Sequence, residues 1–262
     1  MGTSCPQPLR RLILMTSIHL RLSAFIAAAL LSSLTLAAPV DDWLARAQQH
    51  QLSASPYWHI LLRYEQRQHG ALHSIVNQPS FFVSADGKHN PDAELQATIK
   101  ALAEPPPAKA DDAIACRFPA RTFWLRQQLH LSDSDLPPAP CPELETWFKG
   151  INPHQATLVF ASDYVNNPSS MFGHTLLRID APDQTEDTRL LAYAINYAAQ
   201  TNTSNGLEFA YKGLTGGYGG AFSVLPYYEK VKEYNDFENR DLWEYQLNLT
   251  PDEIRQLLRH LW

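Results

Sequence analysis

Cysteine is scarce in this chain of 262 residues: there are three, and only Cys116 and Cys141 lie beyond the first 38 residues. A disulfide-dense miniature scaffold is therefore excluded. Histidine is not scarce, but the ten histidines show no His-Glu-x-x-His or similar zinc spacing, so no metal is expected. Lys212–Gly220 is rich in glycine yet lacks the glycine-lysine-serine/threonine ending of a phosphate loop. No cofactor is expected. There is no basic excess either. Three of the 21 basic residues and none of the 27 acids fall in the first 38 positions, so the remainder carries −9 rather than −6. That argues against a nucleic-acid partner. No internal repeat is present, and no stretch after the N-terminal one is long and apolar enough to span a bilayer.

The first 38 residues read as a secretory signal peptide. Arg10, Arg11 and Arg21 precede the apolar run Leu22–Leu31, and Thr35-Leu36-Ala37-Ala38-Pro39 offers small residues for cleavage. Met15 is a plausible start, and a retained membrane anchor is the alternative. Export places the mature chain in an oxidising compartment, the periplasm, with membrane association possible. There two cysteines most often pair. A Cys116–Cys141 bridge would close a loop of about 25 residues, a contribution on the order of 3 kcal/mol by chain entropy. A free thiolate at one of them is the rival.

Helical spacing fills most of residues 39–149. Trp43, Leu44 and Ala47 share a face in Asp41–Gln51; Ser55-Pro56 and Asn90-Pro91 open two further helices; Phe123-Trp124-Leu125 is an apolar helical patch. Ser80–Ser84 reads as a short strand or a buried loop, and the proline runs 105–107 and 137–140 break helices. Near Gly150 the pattern changes. Ala156–Ala161, His174–Asp180, Arg189–Tyr197 and Leu242–Leu249 read as strands, and Thr250-Pro251-Asp252-Glu253 as a capping box that starts a helix. The expected fold is α+β: a helical N-terminal region over 39–149, then an antiparallel sheet with a packed helix over 150–262.

The segment Ala161–His174 joins two of these strands through a polar loop that ends by presenting a histidine at a strand start. Histidine shuttles protons near neutral pH and is the usual base beside a serine or cysteine nucleophile. A packed or surface histidine is the plainer alternative. Asn167-Pro168-Ser169-Ser170-Met171-Phe172-Gly173-His174-Thr175-Leu176-Leu177-Arg178, together with Cys116-Arg117-Phe118-Pro119-Ala120-Arg121 through Trp124-Leu125, resembles the Lnb-type N-terminal periplasmic domain family. The resemblance runs from about Trp58 to Trp262. That family, formerly a domain of unknown function, is named for a bacterial lipoprotein N-acyltransferase. Its core is similar to permuted papain-like folds such as the LRAT-like acyltransferases, in which the histidine precedes a cysteine at a helix start.

The resemblance implies His174 as the catalytic base of a cysteine-type acyltransferase or hydrolase acting on lipid-linked or lipoprotein substrates at the membrane surface. Asn166, Asn167, Ser169 and Ser170 would orient it or line the pocket, unless they serve only the turn. Lys212–Gly220 reads as a mobile loop beside the site, with Tyr211, Tyr218, Phe222 and Tyr227 as apolar surface and Tyr218 as a substrate contact; a wide hairpin packed by aromatics is the alternative. The resemblance also implies a chain that continues past Trp262, with an asparagine-cysteine motif supplying the nucleophile. Two other functions compete: a non-catalytic envelope module that binds lipid or peptide, and a protease using a free Cys116 or Cys141.

Overall fold

The computed structural model describes residues 38–66, 70–164, 173–201, 205–237 and 239–262. In chain order its elements are helices α1 (Ala38–Gln49) and α2 (Pro56–Leu61), strands β1 (Tyr64–Gln66) and β2 (Leu72–Ser74), helices α3 (Pro91–Leu102), α4 (Ile114–Arg117), α5 (Pro119–Gln128) and α6 (Pro142–Ile151), strands β3 (Gln155–Ala161), β4 (His174–Asp180) and β5 (Tyr193–Ala199), helix α7 (Gly206–Thr215), strand β6 (Gly220–Pro226), helix α8 (Tyr227–Val231), a π-helical turn (Lys232–Phe237), strand β7 (Leu242–Gln246) and helix α9 (Pro251–Leu261). The α+β class and the helical N-terminal region are as the sequence patterns imply.

The chain divides into two compact units, one of residues up to Pro105 with Trp124–Pro138, the other of Pro106–Phe123 with Ala139–Trp262. Compactness thus departs from the boundary expected near Gly150. Helix does give way to strand there, but Trp147, Phe148 and Ile151 of α6 pack into the core beneath the sheet. In the first unit Trp58 stacks on Trp124 at 5.5 Å and donates its indole N–H to the Pro91 carbonyl. Ser80–Ser84 is no strand: a 3-10 turn occupies Pro79–Phe81, and the amides of Val83 and Ser84 bond the buried Glu94 carboxylate instead of a ladder.

The second unit is built on a five-stranded antiparallel sheet of order β6-β5-β4-β3-β7, with β4 at its centre. Alternation splits each strand between two faces. Register puts His174, Leu176, Arg178 and Asp180 of β4 on one face with Ala161, Val159 and Thr157 of β3, Asn196 and Ala194 of β5, and Leu242 and Glu244 of β7. Tyr227, Val231 and Tyr234 cover that face. Ile151, Ile254 and Leu258 cover part of the other through Ala156, Ile179 and Ile195. Helix α9 opens with the anticipated capping box, Thr250 and Glu253 each bonding the other's backbone N–H.

Two strands are shorter than their apolar runs. Residues 189–191 form a 3-10 turn before β5, and β7 ends at Gln246. Lys212–Gly220 is the end of α7, a glycine stop and the start of β6: Gly216 sits at φ 70, the left-handed conformation that closes a helix. Neither the loop nor the hairpin describes the segment: α7 lies between β5 and β6, which pair with each other, and Tyr197 packs on Phe222 across them.

Candidate functional site

His174 is the first residue of the central strand and is half-buried. Gly173 precedes it at φ 83, and a Cβ there would lie 2.7 Å from the Phe160 ring, so the turn into the strand requires glycine. The imidazole meets Asn196 of the neighbouring strand: Nε2 lies 2.5 Å from Oδ1. Asn196 is the register partner of Leu176, two residues along from His174 and on the same face. An amide oxygen can only accept, so Nε2 carries the proton and the lone pair stands on Nδ1. The bond orients the ring, and Nδ1 has no partner among the described residues, the arrangement a general base requires.

The other side of the ring faces Tyr234, at 6.2 Å between centroids. Tyr234 comes from the π-helical turn and is 3% exposed. The Arg240 guanidinium lies over the Tyr234 ring and donates to the carbonyls of Ser162 and Ala161, and Ala161 pairs with His174. Arg240 therefore ties the chain ahead of β7 to the end of β3 next to the histidine.

Further along the same face runs a partly buried charged ladder that sequence inspection missed. Arg178 donates to Asp180 at 2.8 Å and to Glu244 at 2.6 Å; Thr157 donates to Asp180, and Tyr227 to Glu244 at 2.7 Å. Burial works against the Arg178 charge, but the bonds to Asp180 and Glu244 outweigh it and raise its pKa. Burial likewise opposes the Glu244 charge, and the bonds from Tyr227 and Arg178 still hold its pKa below the usual value. Burial and then the Glu244 carboxylate push the Tyr227 phenol far up, so it stays protonated. Tyr227 is thus a core residue, 1% exposed, and not the apolar surface expected of it.

An open cleft of about 710 Å³ flanks this ladder, with Arg189, Tyr227, Val231, Arg240, Leu242 and Glu244 in its walls. His174 does not line it. Arg240 lines the cleft and also lies over Tyr234, whose ring packs against that of His174.

Cys116 and Cys141 form a disulfide with Cα atoms 5.3 Å apart. A protease with a free thiolate at either position is thereby excluded. Tyr218 packs on Phe209 within the β5–β6 connection, at 5.8 Å, and its buried hydroxyl has no partner among the described residues. Tyr211 and Phe222 are exposed, at 70% and 45%. Asn166, Asn167, Ser169 and Ser170, and the signal segment, lie outside the described residues. Among those described, no group of three or more His, Cys, Asp or Glu side chains could hold a metal ion, and no helix is long and apolar enough to cross a membrane.

Asn196 is the partner of His174 that sequence inspection missed. Its one local signal is an amide inside the otherwise apolar run Tyr193-Ala194-Ile195-Asn196-Tyr197. A buried amide needs a partner, but nothing along the chain says which.

The site thus sits in an α+β domain, on an open antiparallel sheet with His174 at the start of its middle strand. Residues 143–262 match the family model described as the Lnb N-terminal periplasmic domain. Residues 50–128 match a second model, a domain of unknown function (DUF7843). No curated protein and no solved structure matches the chain. The first match points to a protein of the bacterial envelope.

Proposed function

We propose that the domain carries the proton-transfer half of a thiol-dependent acyltransferase or hydrolase acting on lipid-linked substrates in the bacterial envelope. The observation that carries this reading is the His174–Asn196 bond, which leaves Nδ1 as the free base. In the reaction Nδ1 takes the proton of a thiol. The thiolate attacks an ester carbonyl, the alcohol leaves with that proton, and a thioester remains. An amine or water then attacks the thioester, again with Nδ1 as base, and frees the thiol. Cys116 and Cys141 are bonded to each other and supply no thiolate, so the nucleophile is a different residue. Asn196 holds the ring in one tautomer and steadies the imidazolium that forms.

The test uses the protein expressed from its intact gene, phospholipid labelled in its acyl chain, and a lipopeptide with a free N-terminal amine. Label should move to the peptide through an acyl-protein detectable by mass spectrometry. His174→Ala should slow the transfer by roughly a hundredfold or more, the usual contribution of a general base. Transfer that survives His174→Ala undiminished would overturn the assignment. The bridged cysteines also favour a second reading, a non-catalytic module that binds lipid or peptide. Absence of any acyl-protein in the wild type would select it.

A further inference from the structure

The sheet face opposite His174 is only partly covered, and what lies uncovered is ordered. Phe160 pairs with Trp243 on one side and with Thr175 on the other. Tyr197, one step beyond the Leu176–Asn196 pair, stands next to Thr175 and pairs with Phe222. Trp243, Phe160, Thr175, Tyr197 and Phe222 therefore form one row across all five strands, on one face. The four aromatics are 56%, 37%, 52% and 45% exposed. Tyr245, at 55%, adds to the row from the next position of β7 on that face.

Two glycines flatten the row. A Cβ at Gly173 would strike the Phe160 ring, and one at Gly220 would overlap the Tyr197 ring. Both rings thus lie down over bare backbone rather than standing off the sheet. Tyr197 and Phe222 close up at 4.7 Å between centroids. The result is a low, continuous apolar strip. At about 4.8 Å per strand it is about 19 Å long, the length of an extended palmitoyl chain.

We infer that this strip is a docking surface for a single lipid acyl chain, laid across the strands at the sheet end that carries His174. The choice of occupant rests on charge and on area. The row holds no charged side chain in a chain of net charge −6, so it suits hydrocarbon and offers nothing to a headgroup or an ionic partner. Five aromatics about half exposed present roughly 500 Å². A stable protein partner needs about 800 Å² from each side, whereas a single chain needs only a strip. A patch of this size is about the largest that a typical monomer exposes, and such patches are often functional. The ligand class rests on the acyl chemistry proposed above; the surface itself does not.

The experiment measures binding, not turnover. Palmitoyl lysophosphatidylcholine, kept below its micelle concentration, is titrated into the His174→Ala protein by calorimetry, and into the same protein carrying Trp243→Asp with Phe222→Asp. Both positions are exposed, so folding should survive, and an unchanged circular-dichroism spectrum verifies it. Binding should weaken more than tenfold. Leu191→Asp, at a residue 67% exposed outside the row, should leave it unchanged. Equal affinity in the row variant, or loss in the Leu191 variant as well, overturns the surface. So does a wild-type dimer in sedimentation that the row substitutions dissolve, which would make a second copy the occupant. A wild type that binds but transfers nothing sinks the proposed reaction and leaves this inference standing. Transfer with unaltered lipid affinity in the row variant does the reverse.

Discussion

Nε2 of His174 donates to Oδ1 of Asn196 across 2.5 Å, from the central strand to its neighbour, and that bond decides which imidazole nitrogen is free. A hydrogen bond to a charged group contributes about 1.5–3 kcal/mol. Asn196→Ala should therefore slow acyl transfer by about ten- to a hundredfold, with the loss in kcat rather than KM. Asn196→Asp retains an acceptor and should restore part of the rate, with a pH profile moved to higher pH because a carboxylate stabilises the imidazolium. Steady-state kinetics of the two variants against pH checks this; equal losses in both would leave Asn196 a packing residue only.

Gly173 is the second fixed point of the site. At φ 83, with Phe160 at 2.7 Å from any added Cβ, alanine is strained both in backbone and in space. Gly173→Ala should destabilise the protein by roughly 1–3 kcal/mol and move His174 off its bond to Asn196. Urea unfolding gives the first quantity and the shift of the His174 ring resonances gives the second.

The Arg178 ladder makes stability depend on acid. The folded pKa of Glu244 is depressed below 4.5, so its contribution is fully present above that value and fades as pH falls through the lower folded value. The urea midpoints of wild type and Glu244→Gln should differ at neutral pH and converge in acid. Arg178→Met leaves the buried Asp180 without its cation, while Glu244 keeps Arg189 at 3.8 Å, and should cost about 3–5 kcal/mol. A midpoint gap that does not narrow with acid would place the Glu244 effect in packing.

The disulfide closes 25 residues between two segments of the same compact unit. Neither Cys116 nor Cys141 of the purified protein should be alkylated under non-reducing, denaturing conditions. Reduction should lower stability by about 3 kcal/mol. A full equivalent of alkylated Cys116 would contradict the bridge.

Much of this fold is written locally. The Thr250 capping box, the cap at Asn90 and the apolar alternation of β3 and β4 are each complete within a few residues, because caps and alternation depend on neighbours in sequence. Helix α7 and strand β6 were not legible, since glycines fall at the helix stop and the strand start and mask both periods. The cysteine pairing followed from compartment and count. His174 was legible from its motif.

What the sequence could not contain is register. Alternation says that His174, Arg178 and Phe160 point out of their strands, but not what stands opposite. Asn196 lies 22 residues from His174, Glu244 lies 66 from Arg178, and Trp243 is remote from Phe222 in strand order. Strand order and pairing bring these groups together because hydrogen-bonded strands lie about 4.8 Å apart, so a side chain's partners are set by the neighbouring strand. The sequence alone determined most of the elements and singled out the histidine and the two cysteines. The base's open nitrogen, the partly buried ion ladder and the aromatic strip exist only once the five strands have closed in one register, because a slip of one residue would send every one of those side chains to the opposite face.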